Sequence, residues 1–178
     1  ELASAYLLGM HKAGMVAVVK HFPGHGYVVA DAHLDLPVDP RTRSELYDDL
    51  QPYGRLIRQG VNGIMVAHVR YPQVDGDVAS LSPYWLRPVL RGELGFGGVI
   101  FSDDLSMKAL VSEGDMPERT RRALDAGADM ALICNDPAAA DAVQDLRAAG
   151  RRGRRPAADV PLGDRRRPRL SLRIRSAA

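Results

Sequence analysis

A single cysteine, Cys134, leaves the chain unable to close an internal disulfide, so a reducing compartment suits it and an oxidising one is not required. No apolar run approaches the roughly 18 residues that a membrane-crossing helix needs. The start at Glu1 lacks the basic residues and apolar stretch of a signal peptide. No Gly-x-Gly-x-x-Gly or Gly-x-x-x-x-Gly-Lys turn follows an apolar segment, which counts against nucleotide binding. These absences predict a soluble, cytoplasmic protein without a membrane partner. Lysine is missing from residues 146–178, which hold 11 arginines against two acids, a net charge of +9. Residues 1–145 carry 13 Lys and Arg against 20 Asp and Glu, a net of −7.

That division predicts two parts. Residues 146–178 mix Arg with Pro, Gly and Ala and have no periodic apolar face, the composition of a segment disordered in isolation. Read functionally, this is a basic arm for nucleic acid. Read from composition, Arg without Lys is what a GC-rich gene gives when translated out of frame, with the authentic sequence ending near Asp145. The second reading is preferred here, and no nucleic-acid partner is expected. Residues 1–145 are the folded domain.

Within that domain short apolar runs alternate with helical spacing. A helix over Ala3–Ala13 precedes a strand at Met15–Val19. Leu46, Leu50, Tyr53, Leu56 and Ile57 predict a helix over Arg43–Gln59. A strand at Gly63–Ala67 follows. Ser82-Pro83 reads as a helix start leading into Tyr84–Leu94. Strands at Val99–Phe101 and Met130–Ile133 flank a helix near Pro117–Ala126, and a last helix runs from about Pro137 to Leu146. The order is one helix and then four βα units, an α/β fold whose apolar strands call for cover on both faces. A closed (β/α)8 TIM-type barrel needs about 250 residues, so the expectation is half of such a barrel.

Every strand runs into polar residues: Lys20-His21, His68, Ser102-Asp103-Asp104 and Cys134-Asn135. Polar groups at the carboxyl ends of parallel strands mark the active face of α/β folds. The loop Lys20-His21-Phe22-Pro23-Gly24-His25-Gly26, followed by Asp31-Ala32-His33, is unusually dense in titratable groups. Asp103 suits a nucleophile or general base, with Asp104 as a helix cap or support. Asp31 and His33 can form a dyad in which the carboxylate fixes the imidazole tautomer, or else a solvated histidine beside a turn-forming aspartate. Lys20 and His21 can donate to substrate hydroxyls. His68 either supports a neighbour or is a satisfied core histidine. Cys134 is expected to be a buried small hydrophobe. A zinc site built from His21, His25, His33, His68 and Asp103 is the rival constellation, weakened by Pro23-Gly24 between the first two histidines.

Val19–Gly26 with Asp31-Ala32-His33, and Gly98–Met107 with its Ser102-Asp103-Asp104 centre, resemble the bacterial β-N-acetylhexosaminidases of glycoside hydrolase family three. The resemblance runs from about residue 5 to about residue 143 and includes Met65–His68, Ser82–Leu86 and Leu124–Met130; Ala32 stands where the family usually has serine. It implies that residues 1–145 are about the last four βα units of a (β/α)8 barrel, and that the protein removes terminal β-linked N-acetylglucosamine, with retention, from peptidoglycan fragments such as GlcNAc-anhydro-muropeptides. Asp103 would then be the nucleophile and His33 the acid/base oriented by Asp31, while Lys20, His21 and Met107 would contact the sugar. No metal or organic cofactor is implied, and the complete protein would act as a monomer. A metal-dependent hydrolase on a barrel, or a non-catalytic module with a nucleic-acid-binding tail, are the alternatives.

Overall fold

The computed structural model describes residues 1–30, 32 and 34–144. Asp31, His33 and the Arg-rich segment 146–178 lie outside the described residues, as does the expected domain limit at Asp145. The chain opens with helix α1 (Leu2–Lys12), whose last turn places His11 and Lys12 where the helix dipole favours positive charge. Strand β1 (Val18–Phe22) follows. Helix α2 (Tyr47–Arg58) buries Leu50, Tyr53 and Leu56. It starts four residues later than the spacing predicts, after a turn in which Glu45 Oε2 accepts from both the Thr42 N–H and the Thr42 hydroxyl, each at 2.7 Å. The Leu46 N–H already bonds back to the Thr42 carbonyl at 3.2 Å, so this turn leads directly into the helix.

Strand β2 (Gly63–Val66) leads to a small antiparallel hairpin, β3 (Arg70–Tyr71) and β4 (Asp75–Val78), which the sequence pattern did not suggest. Trp85–Glu93 is helical as expected but wound as a wider π-helix. Pro88 in its middle has no N–H to give to the preceding turn. Strand β5 (Val99–Asp104) extends three residues further than its apolar run, into the Asp pair. Helix α3 (Met116–Ala126) begins at Asp115, whose carboxylate accepts from the Glu118 N–H at 2.9 Å, with Pro117 in the first turn. Strand β6 (Met130–Leu132) comes next, and residues 137–144 are helical.

Four of the strands form one parallel sheet in the order β1-β2-β5-β6. Spatial order follows chain order with no reversal, the pattern of an arc of a (β/α) barrel and not of a doubly wound sheet. Gly63 is needed at the start of β2, since a Cβ there would lie 2.9 Å from the Phe101 ring and 3.0 Å from Val18. The core joins sheet and helices through Phe22, Tyr53, Tyr71 and Trp85. Phe22 packs edge-on to both Tyr53 and Trp85, and Tyr71 lies 5.1 Å from Trp85 between ring centres. Cover on both faces, expected of every strand, fails for the outer two: Val18 of β1 is 47% exposed and β6 is half-buried throughout. Among the described residues these are the strands paired on one side only.

Candidate active site

All four parallel strands deliver their polar residues to one end of the sheet. β1 ends at His21 and Phe22, and its Lys20–His21 and Phe22–Pro23 peptides are cis. β5, inside the sheet, brings Asp103 to the same end. The His21 Nε2 and the Asp103 Oδ2 stand 3.5 Å apart. Asp103 remains 19% exposed at its side chain, open to a ligand yet screened from bulk water. Its other oxygen, Oδ1, accepts the Asp104 N–H at 2.8 Å, which fixes the plane of the carboxylate. The His25 ring lies 6.2 Å from that of His21, centre to centre. Lys20 is exposed at the same strand end.

Asp104 turns the opposite way and is buried, 7% exposed. Burial pushes its pKa upward, but the donors around it more than offset this and hold the carboxyl below its ordinary value. They are the Ser106 hydroxyl at 2.7 Å, the Cys134 N–H at 3.0 Å, the Ser106 N–H at 3.0 Å and the Asn135 amide at 2.7 Å. One carboxylate thus ties the end of β5 to the segment just past β6. The two aspartates differ in setting, Asp103 half-open and Asp104 buried and anchoring. Cys134 departs from expectation: it is exposed, two residues past the end of β6 at Leu132. Burial and the nearby aspartates raise its thiol pKa.

His68 is fully buried just beyond β2. Its Nε2 donates to the Asp104 carbonyl at 2.9 Å and its Nδ1 meets the Ser80 hydroxyl at 2.7 Å. Both ring nitrogens are engaged, so His68 has none to offer a metal. Among the described residues no group of three or more His, Cys, Asp or Glu could hold a metal ion. Burial lowers the His68 pKa.

The loop after β1 is pinned by groups that the sequence did not single out. The Tyr71 hydroxyl donates to the Gly24 carbonyl. Arg41 sits over the Tyr27 ring, 4.1 Å from its centre, while its guanidinium bonds the Asp39 carboxylate at 2.7 Å and that of Asp49 at 2.6 Å. Further on, Ala32 is buried against Met107 and Ala109, and its carbonyl accepts the Ala109 N–H at 3.3 Å. The residue between Asp31 and His33 is therefore attached to the segment that follows Asp103. Met107 is itself largely buried, 9% exposed. The sheet end brings Asp103 and His21 together, with Lys20 beside them and Met107 in the segment that holds Ala32.

Comparison with known proteins places these features in context. The glycosyl hydrolase family 3 N terminal domain matches residues 1–166. A protein named beta-hexosaminidase from Thioalkalivibrio sulfidiphilus is 56% identical over 145 residues, covering 82% of this chain and 42% of its own length. A beta-hexosaminidase from Nitrosospira multiformis is 53% identical over 142 residues, covering 79% of this chain and 41% of its own. Among solved structures, NagZ from Neisseria gonorrhoeae in complex with N-trifluoroacetyl-D-glucosamine superposes with a TM-score of 0.74 at 46% identity, over 82% of this chain and 41% of that one. The chain spans about two-fifths of the length of the curated relatives it matches.

Proposed function

The chain belongs to glycosyl hydrolase family 3, and from that premise we propose that the full protein is a retaining exo-β-N-acetylglucosaminidase. It removes terminal β-linked GlcNAc from peptidoglycan fragments such as GlcNAc-anhydro-muropeptides in the cytoplasm, acting as a monomer. The observation that carries this reading is the Asp103 carboxylate, half-open at the end of an inner strand and held in plane by the next peptide N–H. The sugar class is supported by the similar Neisseria protein, which was solved with an N-acylated glucosamine.

In the first step the Asp103 carboxylate attacks the anomeric carbon. The glycosidic C–O bond breaks as His33 gives its proton to the departing oxygen, leaving a covalent glycosyl ester on Asp103. In the second step neutral His33 takes a proton from water, the water oxygen attacks the same carbon, and the ester bond returns its electrons to Asp103. Two inversions give net retention. Asp31 orients the imidazole and stabilises its protonated form. Lys20 and His21 donate to sugar hydroxyls, and Met107 backs the sugar. An imidazole in place of a second carboxyl group leaves Asp103 facing no like charge once the acid has lost its proton.

The test uses the full-length protein and aryl N-acetylglucosaminides of graded leaving-group pKa. Asp103→Ala should abolish turnover, and near-normal rates would refute the nucleophile assignment. His33→Ala should slow poor leaving groups far more than activated ones, because only the poor ones need protonation. Equal losses across the series would refute the acid role, and an α-configured first product would refute retention.

A further inference from the structure

The Asp103 carboxylate accepts the Asp104 N–H on Oδ1 and faces His21 Nε2 at 3.5 Å on Oδ2, so what fixes the Asp104 backbone helps to aim Asp103. The side chain of Asp104 is held by Ser106, Cys134 and Asn135. Its carbonyl is held separately, by the Met107 N–H at 3.1 Å and by His68 Nε2 at 2.9 Å. A carbonyl oxygen can only accept, so the hydrogen of the imidazole must be on Nε2. Nδ1 is then the acceptor, and the Ser80 hydroxyl, 2.7 Å away, is its donor. Ser80 is fully buried and anchored in turn, its own N–H bonding the Ala67 carbonyl at 3.1 Å. In this enclosed place the imidazole is neutral; the Asp104 carbonyl selects its tautomer, and the Ser80 hydroxyl satisfies the remaining nitrogen.

We infer that His68 is a positioning residue for the reaction: with its Nδ1 satisfied by Ser80, it grips the Asp104 carbonyl through Nε2 and through that residue aims the Asp103 carboxylate. Ser80, 12 residues further along the chain, is the second member of the device. A residue that merely filled space here would need no polar atom, since a leucine offers similar bulk without two buried nitrogens to satisfy. The inference rests on the glycosidase reading given above.

The experiment compares wild type, His68→Leu, His68→Gln and Ser80→Ala in the full-length protein, by kcat and KM on the aryl leaving-group series and by urea denaturation. A glutamine amide nitrogen reaches about as far as the imidazole Nε2 and can keep the bond to the carbonyl. His68→Leu should lower kcat about 100-fold, the scale for a misplaced reacting group, with KM changed less than about threefold. The loss should be the same for good and poor leaving groups, unlike that of an acid/base variant. His68→Gln should recover all but about tenfold, and Ser80→Ala, which leaves the buried Nδ1 without its donor, should cost several-fold in kcat. If His68→Leu fails to fold, the other two variants decide by the same criteria. A fall in urea midpoint with kcat unchanged would mean a purely structural role and overturn the inference. Wild type with no glycosidase activity would instead overturn the reading on which the inference stands.

Discussion

Removing the Asp104 carboxylate should loosen the end of the sheet by an amount that can be worked out from its bonds. Asp104→Ala deprives four donors of their acceptor: the Ser106 hydroxyl and N–H, the Cys134 N–H and the Asn135 amide. A hydrogen bond to a charged group contributes about 1.5–3 kcal/mol. Cys134 and Asn135 are exposed, so water can replace part of what they lose. The half-buried Ser106 donors have less access to it. A net loss of about 3 kcal/mol follows, smaller than the sum of four charged bonds because of that relief. With a urea slope of about 2 kcal/mol per molar, the midpoint for the full-length protein should fall by about 1.5 M. Asp104→Asn keeps one acceptor oxygen but turns an amide N–H toward donors, and should fall between wild type and Asp104→Ala. The effect also has a pH signature. The folded protein holds this carboxyl below its ordinary value, so its contribution is fully present above the unfolded value of about 3.9 and is lost as pH falls through the folded one. The gap between wild type and Asp104→Ala should therefore be constant from pH 5 to 7 and narrow only below about pH 4. A gap under 0.5 kcal/mol at neutral pH, or one that widens toward acid, would refute the reasoning.

Arg41→Ala should cost about 3 kcal/mol, because it leaves the Asp39 carboxylate, 2% exposed, without its partner; a double-mutant cycle with Asp39→Asn should show coupling above about 1 kcal/mol, and additive effects would argue against the clamp. Gly98→Ala should destabilise by more than about 2 kcal/mol, since its Cβ would meet the Asn62 carbonyl at 2.3 Å, whereas Gly97→Ala, with nothing within 4 Å, should stay within about 1 kcal/mol; equal midpoint shifts in urea would contradict this packing. His68, lowered by burial, should make stability fall as pH drops below the unfolded value of about 6.5, by up to about 1.4 kcal/mol per unit. That slope should be absent from His68→Leu, measured by denaturation between pH 7.5 and 5.5, and an unchanged slope would assign it to another group.

Where chemistry and apolar periodicity coincide, the sequence was informative. The three helices α1, α2 and α3 and the four parallel strands were all foreseen, as was the gathering of polar residues at the strand ends. The boundaries moved where pairing outran hydrophobicity. β1 was expected to stop at Val19 but continues through Lys20 and His21 to Phe22, because the ladder to β2 is made by backbone and does not need apolar side chains. The β3–β4 hairpin gave no signal, since its longer strand is Asp75-Gly76-Asp77-Val78 and has no alternation to read. Cys134 was misplaced because the apolar run continues through Ile133, past the last paired residue, Leu132. The supports of the site were hidden for another reason. His68 finds its partners 12 and 36 residues away, and one of them is a backbone carbonyl, which carries no mark in the sequence. The Arg41 clamp reaches Asp49 and Tyr27 only once the loop has folded over.

The sheet order β1-β2-β5-β6 also bears on how such a chain can be assembled. Each strand pairs with the parallel strand made just before it, so no segment has to wait for a distant partner before its first ladder forms. During synthesis every new βα unit meets a surface that is already present, and the sheet can grow one unit at a time. The aspartate on β5 is then set in place by β2 and its hairpin, which have already emerged, and is locked only when the stretch after β6 arrives.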